Sequence, residues 1–147
     1  MTGYSKGGRN TEAGVSEMIA APPERVWALI GDFGRLDWLP GTEITAEGEG
    51  VGAMRYSHQA DGSVVAERME AFDPEGMSYS YSIADGALPF SDYKATITVS
   101  PAGNGGSRVD WTATFIPAPD WPEGKLEHLI RKMYGNGLKE AKRRLET

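Results

Sequence analysis

The chain of 147 residues contains no cysteine and only two histidines. Without cysteine there are no disulfides, no thiolate catalysis and no cysteine-ligated metals. His58 and His128 stand far apart and outside any HExxH spacing, which argues against a protein-bound catalytic metal. No stretch approaches the roughly 20 apolar residues that a membrane span needs. Residues 1–10 are Gly-rich and polar with no apolar h-region, so they do not read as a signal peptide. Residues 1–12 read as a flexible leader and 13–147 as one domain, large enough to bury a real core. A cytoplasmic location follows by default.

Basic residues are also in deficit. Lys and Arg number 15 against 21 Asp and Glu, and a net charge of −6 argues against a nucleic-acid partner. The one basic cluster, Lys139, Lys142, Arg143 and Arg144, falls in the last turns of a terminal helix, where it complements the negative end of the helix dipole. The Gly48-Glu-Gly-Val-Gly52 turn lacks the following helix of a phosphate-binding loop, and no G-x-S-x-G elbow occurs. Hydrolase and nucleotide-enzyme readings fail, and no cofactor is implied.

What the sequence does have is alternation. Met77, Tyr79, Tyr81 and Ile83 alternate with serines; Tyr93, Ala95, Ile97 and Val99 with Asp92, Lys94, Thr96 and Thr98; Val109, Trp111, Ala113 and Phe115 with Arg108, Asp110, Thr112 and Thr114. Side chains alternate faces along a strand, so these runs predict an antiparallel sheet with one wet and one covered face. The covered face mixes Tyr hydroxyls and Trp with small Ala positions, the look of a pocket wall, because a buried Tyr or Trp needs a polar partner. Residues 64–72 differ. Whichever face of that run turns inward, Glu67 or Arg68 and Glu70 go with it.

Further strands are predicted at 13–20, 43–47 and 53–59, a short helix at 23–32 after Pro22-Pro23, and a second short helical turn at 33–39. From residue 126 the period switches. Leu126, Leu129, Ile130, Met133, Gly137, Ala141 and Leu145 form one apolar stripe at helical spacing. Strands followed by a long amphipathic helix make an α+β domain with the helix on the covered face. Gly137 in mid-helix costs about 1 kcal/mol against Ala, so something bulky is expected opposite it.

This order resembles the START-like (SRPBCC) superfamily: the helix-grip fold of polyketide cyclases/dehydrases, birch-pollen allergen relatives and plant abscisic acid receptors. Its carriers are Ala21-Pro-Pro-Glu-Arg-Val-Trp-Ala-Leu-Ile-Gly-Asp-Phe33 with Trp38-Leu-Pro40, and Glu67-Arg68-Met69 followed by Asp73. Ser82-Ile-Ala-Asp-Gly86, Ser91-Asp-Tyr-Lys-Ala95, Val109-Asp-Trp111 and Trp121-Pro-Glu-Gly124 complete the set. The resemblance implies a curved sheet of about seven strands wrapped around the terminal helix, with a cavity between them for a hydrophobic or amphipathic small molecule. It implies that Glu67, Tyr81, Tyr93, Phe115, Leu129, Met133 and Gly137 face that cavity, and that the loops at 58–63 and 85–89 close over it. Those loops lack the receptor's residues, which argues against a hormone-gated phosphatase interaction. Trp38, Tyr56, His58, Val65, Met69 and Tyr79 join the expected ligand-binding set, as do Ile83, Leu88, Ala95 and Trp111.

The chemistry centres on Glu67. A carboxylate in an apolar pocket is pushed toward neutrality and becomes a general acid or base. Two other roles stay open: an ion pair with Arg55 on the neighbouring strand, or a simple hydrogen bond to ligand. Tyr81 and Tyr93 are the expected catalytic companions, able to polarise a carbonyl, or are core tyrosines with satisfied hydroxyls. His58 is a pocket-mouth proton carrier or an ordinary loop histidine. Trp38 and Trp111 are pocket wall or core; Trp27 is core and His128 faces solvent. Three functions fit: a carrier or sensor of polyketide-, quinone- or lipid-like ligands, a cofactor-free cyclase, dehydratase or isomerase, and an acidic protein-interaction module. The oligomeric state, monomer or homodimer, is open.

Overall fold

The computed structural model describes residues 10–39 and 41–147. Seven strands form one antiparallel sheet: β1 (Thr11–Ile19), β2 (Glu43–Glu47), β3 (Met54–His58), β4 (Val64–Asp73), β5 (Ser78–Asp85), β6 (Phe90–Pro101) and β7 (Ser107–Pro117). Their spatial order is β1-β7-β6-β5-β4-β3-β2, so every neighbour but the β1–β7 pair is joined by a hairpin. Helix α1 (Pro23–Ile30) follows β1, and helix α2 (Lys125–Leu145) closes the chain. The α+β helix-grip architecture expected from the sequence is present. The leader expected at 1–12 lies, through residue 9, outside the described residues, while Thr11 and Glu12 already pair with Phe115 and Thr114 in β1–β7.

Alternation places the faces as expected. Tyr79, Tyr81, Tyr93, Ala95, Ile97, Trp111, Ala113 and Phe115 are buried on the helix side. The other face carries hydroxyl pairs across strands, such as Ser78 with Thr98 and Ser80 with Thr96. Strand β4 does not keep a period of two. Register shifts at Ala66/Glu67 and Met69/Ala71 bury Ala66 and Met69, which belong to opposite alternation sets, and leave Glu67 half-buried.

The second short helix expected at 33–39 is absent. Arg35 N–H bonds Asp32 O and Leu39 N–H bonds Leu36 O, two separate turns that never propagate. The Asp32 carboxylate accepts from Gly34 N–H, an Asx turn that competes with helix. α1 stops at Ile30 rather than Asp32. Trp27, expected in the core, is only half-buried, packed over Gly31 and stacked 6.3 Å from the exposed Phe72 ring.

The turn segment is clipped to the far end of α2. Arg144 Nη1 donates to Asp37 Oδ2 at 2.9 Å and Nη2 to the Asp37 carbonyl, while Arg143 and Arg144 both bond Glu140. Three members of the basic cluster are thus tied within the chain, Lys142 through Glu146. The Arg35 and Arg144 guanidiniums hold Asp37 at about 2, and Arg143 and Arg144 hold Glu140 at about 2. Both lie below their ordinary values of 3.8 and 4.5, so the stability they lend is present above those values and is lost as pH falls toward 2. Denaturant midpoints should drop between pH about 5 and about 2.5, and Glu140→Gln should flatten that drop. Added salt should shrink it too, because the pairs are exposed.

Buried positions on α2 are Leu126, Ile130, Tyr134, Gly137, Leu138, Ala141 and Leu145, whereas Leu129 and Met133 are 40% and 45% exposed. A Cβ on Gly137 would meet Leu39 Cδ1 at 2.5 Å and Trp38 Cζ3 at 3.3 Å, so side chains explain this glycine. Gly135 has nothing within 4 Å of that point. Gly135→Ala should therefore stabilise by about 1 kcal/mol and Gly137→Ala should destabilise, read as opposite shifts in unfolding midpoint.

Candidate functional site

Between the helix-facing side of β3–β7 and α2 lies a cavity of about 320 Å³. Its greasy wall includes Leu36 and Leu39 from the turn segment, Ile83, Leu88 and Phe90 around the β5–β6 hairpin, and Leu129, Ile130 and Met133 from α2. Arg55, Glu67, Tyr81, Tyr93 and Tyr134 add polar groups to the lining. A larger groove, about 550 Å³, runs beside Pro117–Pro119 and the start of α2, but of its lining only Leu126 is buried. The interior cavity is the candidate site.

Arg55 organises the polar part of that lining. β3 and β4 place it directly across from Glu67, and its Nε donates to Glu67 Oε1 at 2.6 Å. Its Nη1 donates to the Phe33 carbonyl at 3.2 Å and the Tyr79 hydroxyl at 3.3 Å. The guanidinium carbon lies 4.2 Å from the Phe33 ring centroid and 4.5 Å from that of Tyr81. Burial pulls this cation's pKa down, but Tyr79, Glu67 and Tyr81 outweigh it and the net shift is upward, so it stays charged.

A second polar cluster is aromatic. Trp111 Nε1 donates to the Tyr81 hydroxyl at 3.2 Å, and the Tyr93 and Tyr134 hydroxyls bond each other. Trp111 and Tyr134 stack at 3.9 Å, fixing the helix against β7. Burial first, then neighbouring charge, pushes Tyr81 and Tyr93 well up, so both keep their protons and are able to donate. Among the described residues no cluster of histidines and carboxylates could hold a metal, and no helix is long and apolar enough to cross a membrane.

This fold is shared widely. Residues 11–146 match the family described as polyketide cyclase/dehydrase and lipid transport. The chain belongs to that family. MLP-like protein 423 of Arabidopsis thaliana is 33% identical over 110 residues, which is 66% of this chain and 70% of that one. Among solved structures, the protein XoxI from Bacillus cereus superposes with a TM-score of 0.83 at 31% identity, covering 92% of this chain and 95% of its own. An uncharacterised Bacillus thuringiensis protein does so at 0.82 and 31%, covering 92% and 98%. Ara h 8.0201 shares the fold, with a TM-score of 0.72 at 20% identity over 92% and 97% of the two chains. Membership of the START-like superfamily is borne out.

This polyketide cyclase/dehydrase and lipid transport family member brings together many of the residues expected from its sequence. Glu67, Tyr81, Tyr93, Val65, Ile83 and Leu88 line the cavity, with Trp111, Leu129 and Met133. Leu129 and Met133 sit at its rim rather than inside, because they are half-exposed. Others lie off the wall. Tyr56 and His58 occupy the outer face of β3, bonding Glu47 and Thr45, since Arg55, Ser57 and Gln59 take the inner one. Met69, Tyr79 and Ala95 form a layer behind it, and Phe115 packs against Phe90. Trp38 and Gly137 are closed against each other and Trp111.

Arg55 entered the sequence reading only as a possible partner for Glu67, and Tyr134 not at all. Alternation along β3 was the one available signal for Arg55: an inner set of Arg55 and Ser57 against Tyr56 and His58. Tyr134 is one residue from Met133, where a single apolar stripe did not reach.

Proposed function

We propose that this protein binds a compact hydrophobic molecule bearing an oxygen function, as a carrier or sensor. The observation that carries this reading is the interior cavity, largely apolar in its lining with a polar cluster around Arg55 and Glu67. A volume of about 320 Å³ sits at the small end of ligand sites, which run from about 300 to 1,000 Å³. That favours a ring-sized polyketide- or quinone-like head over a whole acyl chain. Native mass spectrometry of purified protein should show a co-purifying lipophile, and an apolar dye should bind saturably. At one hundred times its dissociation constant, a bound ligand raises stability by about 2.7 kcal/mol, visible as a higher unfolding midpoint. Absence of both the lipophile and dye binding would remove this reading.

A second reading, a cofactor-free cyclase, dehydratase or isomerase, rests on Glu67, which lines the cavity and whose Oε2 accepts no hydrogen bond among the described residues. In this reading Glu67 takes a substrate proton while Tyr81 or Tyr93 donates to the developing enolate oxygen. Glu67→Gln decides between the two. An unchanged rate on a β-polyketone substrate with ligand affinity retained ends the enzyme reading.

A further inference from the structure

Among the described residues, the only charged groups lining the cavity are Arg55 and Glu67, and they are already spent on each other. They are not equally available to a guest. The Arg55 side chain is 1% exposed and that of Glu67 15%. Nε and Nη1 of Arg55 are committed to Glu67, Phe33 and Tyr79; Nη2 makes no hydrogen bond among the described residues, but the side chain as a whole is enclosed beside the Phe33 and Tyr81 rings. Glu67 is the more accessible member of the pair, and its Oε2 accepts no hydrogen bond among the described residues.

We infer that the cavity selects a neutral hydroxyl donor, a phenol or enol, and rejects carboxylate anions such as free fatty or aromatic acids. This rests on the binding reading above and narrows its ligand class. A hydroxyl donates to Glu67 Oε2 in a charge-assisted bond, which is among the stronger kinds. A carboxylate guest brings a second negative charge next to Glu67 in a poorly solvated space, where like charges repel strongly and desolvation is uncompensated. An arginine in a ligand cavity ordinarily points to an anion; here its partner on the next strand cancels that.

The test compares 2-naphthol, 2-naphthoate and unsubstituted naphthalene by calorimetric titration of the intact protein at neutral pH. The expected order is naphthol tightest, with naphthoate at least tenfold weaker. Naphthoate binding as well as naphthol, or better, would overturn the inference while leaving the binding reading intact. Failure of all three would overturn the binding reading and this inference with it. In Glu67→Gln the guanidinium loses its counter-charge, so the preference should invert toward naphthoate, and an unchanged preference would contradict the assignment. Should that variant fold poorly, the paired change Arg55→Met with Glu67→Leu replaces the ion pair by apolar groups, a swap that buried pairs often tolerate. In it the advantage of naphthol over naphthalene should vanish, and its persistence would equally count against the role of Glu67.

Discussion

Glu67→Leu is expected to cost about 3–5 kcal/mol of folding stability, the loss usual when one member of a buried ion pair is removed. The reason lies in its partner. Arg55 is 1% exposed and its charge cannot be shed, so without Glu67 the guanidinium keeps only a carbonyl, a tyrosine hydroxyl and two ring faces. For a chain of this length each kcal/mol moves the unfolding midpoint by about 2–4 °C, so the drop is easily measured. Arg55→Met should cost less, because the Glu67 carboxylate it strands can still reach the cavity. The double variant should recover much of the loss. Denaturant unfolding of all four proteins yields the coupling, and a Glu67→Leu cost under about 1 kcal/mol would mean that the pair is not the anchor of this interior.

Ile83→Trp should abolish guest binding without unfolding the protein. Ile83 sits directly across from Glu67 in the β4–β5 register and lines the cavity. An indole buries about 150–250 Å² of surface, and the empty space beside Ile83 can take it. In a filled core such a change would overpack and cost about 1–3 kcal/mol; here the unfolding midpoint should hold or rise. Dye affinity should fall at least tenfold. Thr96→Trp, on the opposite face of the sheet, should leave affinity unchanged. Equal loss in both variants would place the binding site elsewhere.

How far the sequence could be read depended on local regularity. Tyr79–Ile83 in β5, Tyr93–Val99 in β6 and Val109–Phe115 in β7 alternate regularly, with the register shifts of β5 and β6 at the ends of those stretches, and their covered face was legible residue by residue. β4 was not, because two bulges shift its register and bury Ala66 and Met69 together. Bulges leave no compositional mark. In β3 the aromatic Tyr56 and His58 suggested ligand contact, yet a cross-strand carboxylate made it favourable to bury Arg55 instead. That choice depends on β3–β4 pairing, which one strand cannot reveal. Gly137 announced a close approach, and Leu39 with Trp38 supplies it. The direction of α2 over the sheet decides that Tyr134 is buried and Met133 rims the cavity, and two neighbouring helical positions do not disclose that tilt.

The most direct measurement is an amide NMR titration of isotope-labelled protein with 2-naphthol. Saturable shifts should gather on Glu67, Ile83, Tyr93, Ile130 and Met133, around the space between sheet and α2. Shifts confined to the outer sheet face near Thr96 and Thr112, to the groove at Pro117–Pro119, or absent at saturating probe would contradict a guest-holding interior.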